Sequence, residues 1–225
     1  MFSVIFEVHP KPEQWDTYLE NAKLLRPELE LVEGFVDNIR YKSLRRQGWI
    51  LSLSGWRDEK SVVRWRTAQR HHMVQEKGRS EILLDYNLRV GQVTHDTHVP
   101  AGQRIKEQRL DETETGEGTR ITLIDAKWLE TPCETADASG TSGYLGLNTK
   151  AAGLVRWDVF DAVLTPGNLI LMIAWKSKEN ADAFAKSVVL PSGARLRHVR
   201  VVRDYGMFDR REAPQYYPAV ERTGA

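Results

Sequence analysis

FVDNIRY at Phe35–Tyr41 and WILSLSGW at Trp49–Trp56 decide how this chain folds, and a short basic segment, 42–48, connects them. Runs rich in β-branched and aromatic residues, separated by a polar connection that contains glycine, are typical of a β-hairpin. The hairpin is expected to form the centre of a sheet.

The segments on either side of the hairpin complete one structural unit. Phe2–Val8 alternates with a period of two, as a strand does, and Glu13–Val32 carries apolar residues at helical spacing. Pro27 is expected to end or kink that helix. Asp58 is placed to cap a second helix, and Leu83–Val93 reads as a fourth strand. The order β-α-β-β-α-β is that of a ferredoxin-like unit.

The hairpin pattern recurs in the second half of the chain. Gly34 and Trp56 bracket the first hairpin, and Gly153 and Trp175 bracket a second one at an offset of 119 residues. Matching residues of the last strand lie at an offset of 108, so the second half lacks 11 residues before that strand. The missing portion falls within the stretch Trp65–Arg79, after Trp65, whose counterpart is Phe184.

These patterns predict an α+β protein of two ferredoxin-like βαββαβ repeats, packed sheet to sheet as an intramolecular dimeric α+β barrel. The first repeat is expected over residues 1–100 and a second, degenerate repeat with a C-terminal tail over 119–225. Residues 101–118 are predicted to be an acidic linker, because they offer almost no apolar side chain for burial. Pro132 and two Ser-Gly pairs predict a shortened helix within Leu129–Lys150.

Charge and composition narrow the classes of partner. The 32 basic and 31 acidic residues balance to within one charge, so neither nucleic acid nor a membrane surface is an expected partner. No apolar run is long enough to span a bilayer, and the first residues form no basic leader. The single cysteine, Cys133, cannot form an internal disulfide, which suits a reducing compartment. We expect a cytoplasmic protein.

The stretch Trp65–Arg79 contains the candidate catalytic residues, His71 and His72. In a regular helix each residue turns about 100°, so His72 falls near the face of Trp65 and His71 points about a third of a turn away. A helix break before Arg70 would bring His71 to that face instead. A neutral imidazole can act as a general base, and a surface or hydrogen-bonding role is the alternative for either histidine.

Four residues are candidate substrate contacts: Trp65, Asn38, Tyr86 and Arg89. Trp65 is expected in the core or in the wall of an aromatic pocket. Asn38 and Tyr41 lie on opposite faces of one strand, so they cannot both face one cleft. Arg89 alternates away from Tyr86, and a structural ion pair is its alternative role. The sequence shows no metal-ligand spacing and no dinucleotide fingerprint.

Part of this region matches a family pattern. Its residues are Trp56, Trp65-Arg66, His71, Gln75, Gly78-Arg79 and Asp85-Tyr86-Asn87-Leu88-Arg89-Val90. In these residues the chain resembles the antibiotic biosynthesis monooxygenase family, small dimeric α+β barrel proteins. The pattern singles out His71, and Arg70 replaces the acid that usually precedes it. The ending Val201–Arg210 with Glu212–Gln215 resembles that of the same subgroup.

The resemblance implies a monooxygenase that needs no cofactor and acts on a small aromatic or quinol-like compound, whose carbanion reacts with oxygen. Some members bind or degrade heme through a histidine of the second helix, so heme held by His71 is an alternative. Those enzymes have an asparagine in the first strand, which Phe2–Val8 lacks. A non-catalytic ligand-binding or assembly protein is the third interpretation. A small aromatic ligand is the expected partner, and the internal pseudo-dimer could form a further homodimer.

Overall fold

The computed structural model describes residues 1–128 and 137–221, so Cys133 and part of the Leu129–Lys150 region lie outside the described residues. The first half contains β1 (Phe2–Pro10), α1 (Trp15–Glu30), β2 (Phe35–Ser43), β3 (Ile50–Trp56), α2 (Glu59–Thr67), α3 (Gln69–Lys77) and β4 (Leu83–Asp96). The second half contains β5 (Arg120–Lys127), α4 (Ala138–Tyr144), β6 (Leu154–Ala162), β7 (Asn168–Trp175), α5 (Lys178–Ser187) and β8 (Arg195–Gly206). Within these ranges, every helix is too short or too polar to cross a membrane.

The strands form one closed barrel in the order β1-β3-β2-β6-β7-β5-β8-β4, and neighbouring strands are antiparallel. Each half contributes four adjacent strands, including the two predicted hairpins, β2–β3 and β6–β7. The halves join at both edges, through β2–β6 and β4–β8. Closure satisfies the backbone groups that an open sheet would leave at its edges, and both sheets face one interior.

Alternation along the strands sends one set of apolar side chains into this interior. Ile5, Leu51, Leu123, Phe160 and Ile170 are fully buried there and come from both halves. Burial of each such side chain stabilises the fold by about 1.5–3 kcal/mol. β7 is buried on both faces, because α5 packs on its outer side.

α1 packs on the outer face of the first sheet. It buries Ala22, Leu25 and Leu29, which recur at steps of three and four residues. The expectation that Pro27 ends the helix was wrong, because α1 continues through it to Glu30. The proline removes one backbone donor, whereas the next turn still buries Leu29, which favours the longer helix.

The second helical region of the first half is two helices. Asp58 caps α2 as predicted, since its Oδ1 accepts a hydrogen bond from Ser61 N at 2.8 Å. α2 ends because Ala68 is extended, with φ −60° and ψ 129°, and α3 starts at the next residue. The break therefore lies just before Arg70, which sets the direction in which the two following histidines point.

A buried carboxylate on the inner side of the barrel wall links the two halves. Glu7 is 1% exposed and pairs with Arg89, with Arg46 at 2.6 Å and with Arg156 of β6 at 2.8 Å. Arg89 lies opposite Ile5 in the β1–β4 pair, so its side chain is on the interior face. Arg89 therefore makes the structural ion pair, and its predicted contact with substrate was wrong.

The acidic segment 101–118 contains neither helix nor strand, but its second part is fastened to the barrel. The backbone N–H groups of Gln108 and Arg109 donate to Gln92 Oε1 at 2.7 and 2.9 Å. Thr113 and Thr115 are buried, and Thr115 Oγ1 donates to a carbonyl of β8 at 2.8 Å. Hydrogen bonding thus positions a segment that has little apolar surface to bury.

Candidate active site

A cavity of about 210 Å³ lies between the outer face of the first sheet and the helices α1, α2 and α3. Its floor is formed by outward-facing residues of neighbouring strands, including Val4, Phe6 and Leu88. Its walls include Leu25 of α1 and Trp65 of α2. The cavity is largely apolar and has a few convergent polar groups, as ligand sites of proteins usually have.

The break at Ala68 turns His71 toward this cavity. The imidazole stacks on Trp65, with ring centroids 4.2 Å apart and an angle of 15° between the planes. His71 Nδ1 lies 2.9 Å from the carbonyl oxygen of Trp65. A carbonyl can only accept, so Nδ1 carries the proton and Nε2 of the neutral ring is the acceptor. His71 lines the cavity and therefore presents a basic nitrogen at its wall.

The surroundings of His71 keep the ring neutral. Desolvation by burial is the main cause, and it lowers the pKa of His71 to about 4, although the hydrogen bond to the Trp65 carbonyl opposes the shift. The positive charge of a protonated His72 would add a smaller effect in the same direction. At neutral pH, the His71 ring is thus unprotonated.

Gln75 faces Nε2 of His71 and is held in place by a short series of hydrogen bonds. Gln75 Nε2 lies 3.5 Å from that nitrogen, at the outer limit of a hydrogen bond. Gln75 Oε1 accepts from the Tyr217 hydroxyl at 2.9 Å, which directs the amide nitrogen toward His71. The Tyr217 proton is used in that bond, so His72 Nδ1, 3.0 Å away, acts as a donor to the same hydroxyl.

His72 therefore points to a different face of α3 from His71, about 100° around the helix. Its ring stacks on Tyr217 with centroids 5.4 Å apart, and it does not line the cavity. Of the two candidate catalytic histidines, His71 is the one that reaches a potential substrate. His72 contacts the C-terminal segment instead.

Tyr86 brings a hydroxyl group to the cavity. Its oxygen accepts hydrogen bonds from Arg79 Nη1 at 2.8 Å and from Arg210 Nη1 at 2.7 Å. Two charged donors occupy the oxygen lone pairs, which leaves the hydroxyl proton free to point into the cavity. Tyr86 is thus suited to donate a hydrogen bond to an oxygen atom of a substrate.

Asn38 and Trp65 also line the cavity. Asn38 Nδ2 donates to Ser52 Oγ at 3.0 Å and to the Leu53 carbonyl at 3.2 Å. Asn38 Oδ1 is buried without a protein partner in the described chain, so it is available to a ligand. Trp65 fills both predicted roles, because it packs against the core cluster around Trp56 and also forms the cavity wall.

The second half of the chain supplies part of this first-half site. Tyr205 of β8 and three residues beyond it, Arg210, Gln215 and Tyr217, line the cavity. Gln215 Nε2 donates to the carbonyl of Arg66 at 3.3 Å, which fastens the segment across α2. Sequence reasoning missed these four residues as site components. The available signal was the family-like ending of the chain, which includes Gln215.

The charged side chains that line the cavity are all positive. Four arginines line it, and no aspartate or glutamate is among the described lining residues. Elsewhere in residues 1–128 and 137–221, no cluster of three His, Cys, Asp or Glu side chains is arranged to hold a metal ion. The arrangement offers a base, a hydroxyl donor, an amide acceptor and positive charge around an apolar space.

Comparison with known proteins places this site in a family. The sequence model of the antibiotic biosynthesis monooxygenase family matches residues 1–77, from β1 through His71 and Gln75 to the end of α3. The jasmonate monooxygenase ABM of Pyricularia oryzae is 49% identical over 223 residues, which cover 97% of this chain and 99% of that protein. The chain belongs to the antibiotic biosynthesis monooxygenase family.

More distant similarity concerns the fold alone. A crystal structure of aldoxime dehydratase in complex with butyraldoxime superposes with a TM-score of 0.52 and is 14% identical, covering 89% of this chain and 79% of that chain. Another aldoxime dehydratase structure gives a TM-score of 0.51 at 14% identity, covering 89% of this chain and 80% of that one. The antibiotic biosynthesis monooxygenase architecture of this chain thus has solved counterparts of low sequence similarity.

Proposed function

We propose that this protein is a cofactor-independent monooxygenase, with one active site in the cavity of the first half. The observation that carries the proposal is the neutral His71, whose unprotonated Nε2 lies at the wall of an apolar cavity. Membership of a monooxygenase family supports the reaction class. We interpret the chain as a tandem repeat, an internal pseudo-dimer in a cytoplasmic protein, and only one of its halves is active.

The proposed reaction begins at a methylene group that a neighbouring carbonyl or aromatic ring makes acidic. His71 Nε2 takes a proton and leaves a carbanion, which transfers electrons to O2 and forms a carbon–oxygen bond. The imidazolium returns the proton to the peroxide. Base removal of the second C–H proton then breaks the O–O bond and gives a ketone and water. The substrate loses four electrons and O2 gains four, so no external reductant is required.

Tyr86 has a defined part in this scheme. Charge develops on the substrate oxygen as His71 removes the proton, and a pre-positioned hydroxyl donor stabilises that charge more than it stabilises the neutral substrate. Arg79 and Arg210 hold the Tyr86 oxygen from two sides, so its remaining proton has few other partners. Positive charge close to Tyr86 favours the anionic form of the substrate further.

Two substrate classes are supported by different observations. The family resemblance favours a small aromatic or quinol-like compound, and the name of the Pyricularia oryzae relative adds jasmonate, a ketone that carries a carboxylate. Both classes contain hydrogens that a carbonyl or ring makes acidic. The cavity volume, about 210 Å³, and its apolar lining suit small molecules of either kind.

Oxygen uptake by the purified protein tests the proposal. A panel of quinols, anthrones and jasmonate is supplied with a metal chelator present, and we expect one O2 consumed for each ketone formed. His71→Asn should lower kcat by about 100-fold or more, since general base catalysis contributes that much. His72→Asn, the neighbouring control, should change kcat only a few-fold. An absence of uptake across the panel would favour the non-catalytic interpretation, and equal rates in both variants would refute His71 as the base.

Heme fits the arrangement poorly. Nε2 of His71 is the atom that would ligate iron, but Gln75 Nε2 lies 3.5 Å from it and the ring is stacked flat on Trp65. Iron at Nε2 would displace Gln75 from the Tyr217 hydroxyl that holds it, as a substrate at the same atom would, and the macrocycle would in addition have to fit a cavity of about 210 Å³. Titration with hemin is the direct test, and a sharp Soret band that His71→Ala abolishes would revive the heme interpretation.

A further inference from the structure

The arginines around the cavity differ in how fully their hydrogen-bonding groups are used. Arg79 donates to Tyr86, to the Met207 carbonyl at 3.2 Å and to the Pro218 carbonyl at 3.3 Å. Arg210 donates to Tyr86 and to the Gln215 carbonyl at 2.7 Å. These two guanidinium groups hold the C-terminal segment and the Tyr86 hydroxyl, so they belong to the framework of the site.

Arg66 is the cavity arginine with no such engagement. Its Nε is buried without a hydrogen-bond partner, as is Nε of Arg40 and of Arg79. Arg79 and Arg40 are nevertheless held by side-chain hydrogen bonds to Tyr86 and Tyr18, whereas the Arg66 guanidinium has no hydrogen bond and no ion pair among the described residues. Its neighbours on the same helical region are different: Arg64 pairs with Glu33 at 3.6 Å, and Arg70 pairs with Glu28 at 2.7 Å. A buried guanidinium donor without a partner loses solvation and gains nothing in exchange, which a ligand could reverse.

We propose that Arg66 forms a subsite for the carboxylate of the substrate, so that the natural ligand is a small monocarboxylic acid with an apolar body. The proposal rests on the proposed function, because the same ligand must present its reacting carbon to His71. A guanidinium offers parallel N–H donors in a planar fork that matches a carboxylate, and a carboxylate would supply the missing partner of Nε. No aspartate or glutamate among the described lining residues competes for Arg66.

The surroundings of Arg66 suit an anion. Tyr205 lies in the field of Arg66, and burial raises the pKa of the Tyr205 hydroxyl to about 12, so this group keeps its proton. Gln215 Nε2 donates to the Arg66 carbonyl and thereby anchors the backbone at this point. Tyr205, Gln215 and Arg66 all line the cavity, and each of their side chains has at least one polar hydrogen.

Arg40 provides an internal comparison, because it lies at the other end of the floor. The strand register places Arg40 beside Ser52, Ser52 beside Phe6, Phe6 beside Leu88 and Leu88 beside Tyr205. That row crosses four strand spacings, or about 19 Å along the sheet. Arg40 also forms a side-chain hydrogen bond with Tyr18 of α1. Arg40 therefore lies at the end of the floor away from Tyr205, the floor residue in the field of Arg66.

Equilibrium binding separates this subsite from catalysis. The probes are jasmonic acid and anthraquinone-2-carboxylic acid, each compared with its methyl ester, and quenching of tryptophan fluorescence under anaerobic conditions reports binding. We expect the acids to bind the native protein about 10- to 100-fold more tightly than the esters, as for a hydrogen-bonded charge pair. Arg66→Gln should remove that preference, and Arg66→Lys should restore only part of it.

Three variants test whether the loss of any other nearby positive charge would also remove the preference for the acid. Arg64→Gln and Arg70→Gln remove exposed cations next to Arg66, and Arg40→Gln removes a cation at the distant end of the cavity. Each should keep the preference for the acid. Circular dichroism verifies that every variant is folded, and Arg66→Lys covers the case in which Arg66→Gln is unstable.

The outcomes distinguish the subsite from the proposed function. Equal affinity for acid and ester in the native protein, or no binding of either acid, would overturn the subsite even if quinols are oxygenated. An acid preference that depends on Arg66, without any oxygen uptake, would establish the subsite and refute the monooxygenase. An acid preference that Arg40→Gln abolishes and Arg66→Gln preserves would also contradict the assignment.

Discussion

The two halves of the barrel share four strands and a capped helix, α2 or α5, and differ in the length of their first helix and in the segment after the capped helix. α2 and α5 start at equivalent places, after the caps Asp58 and Ser177, each of which accepts from the backbone N–H three residues later. Both helices end at an extended residue, Ala68 with ψ 129° and Val188 with ψ 136°. The first half then forms α3, whereas the second half passes through a short loop into β8.

The segment that follows the capped helix explains why the candidate site lies in the first half. Trp65 and Phe184 occupy equivalent helix positions, but Trp65 has His71 stacked on it, and Phe184 packs against Trp175 at 5.0 Å. A groove in the second half is lined by residues such as Asn180 and Val188, and no charged side chain is among its described lining residues. The break in the helix is common to both halves, so the extra segment α3 makes the chemical distinction.

Glu7 joins the two halves, and its loss should have the largest effect. Glu7→Gln leaves Arg89, Arg46 and Arg156 without their shared carboxylate, and removing one partner of a buried charge network destabilises proteins by about 3–5 kcal/mol. Urea denaturation monitored by circular dichroism measures the change. Glu33→Gln, at an exposed ion pair, is the control and should leave the unfolding midpoint nearly unchanged. Equal effects of the two substitutions would show that the buried network does not hold the halves together.

Exchanging the aromatic residues of the two halves should separate stability from activity. Phe184→Trp enlarges a side chain that is 6% exposed, and overpacking should cost about 1–3 kcal/mol without reducing oxygen uptake. Trp65→Phe replaces the indole that stacks on His71 by a smaller ring and should lower kcat about tenfold because the imidazole is held less firmly. Unfolding curves and steady-state kinetics of both variants test the comparison. If Phe184→Trp alone lost activity, the active site would lie in the second half of the chain.

The C-terminal segment should contribute to His71 through Tyr217. Tyr217→Phe removes the hydroxyl that orients Gln75, and we expect a five- to tenfold lower kcat, little change in KM and a stability loss of about 1 kcal/mol. The ¹⁵N chemical shifts of the His71 ring report whether its hydrogen bonding changes. Tyr216, which is 88% exposed, gives a matched control, and Tyr216→Phe should alter none of these quantities.

Lowering the pH should destabilise the protein through one histidine in each half, by less than the substitutions above. Burial lowers the pKa of both His71 and His198 to about 4. As the pH falls below about 6.5, the unfolded chain takes up these protons and the folded protein does not, so stability should fall between pH 6.5 and 4 and stay level above that window. His71→Gln and His198→Gln should each reduce this slope in urea titrations. Only His71→Gln should alter the pH profile of kcat/KM, whose acid limb we expect near pH 4.

Much of the framework was accessible from local patterns. The period-two strands, the hairpin between Phe35 and Trp56 and the Asp58 cap depend on neighbouring residues, and the structure confirms them. Parity along β4 likewise separates Tyr86 from Arg89, since adjacent strand residues face opposite sides of the sheet. Once Tyr86 is assigned to the cleft, alternation along the strand therefore excludes Arg89 from it.

The rest of the site depends on contacts that no local pattern contains. The course of the C-terminal segment is decided by Arg79 and Arg210, which meet at the Tyr86 hydroxyl although Tyr86 and Arg210 are 124 positions apart. Helix geometry alone favoured His72, and only the conflict with the family pattern pointed to a break before Arg70, which the structure places at Ala68. The sequence overstates the effect of Pro27, because burial of the next turn stabilises the helix more than the missing backbone donor destabilises it.

The C-terminal segment also has a consequence for the synthesis of the protein. Tyr217 and Gln75 are 142 positions apart, so the ribosome adds them at very different times. A nascent chain that has completed its first half contains Trp65 and His71 but lacks the wall of the cavity that Tyr205, Arg210 and Tyr217 form. The cavity is therefore completed only after the second half has been made, and a cut between β8 and Tyr217 would open it again.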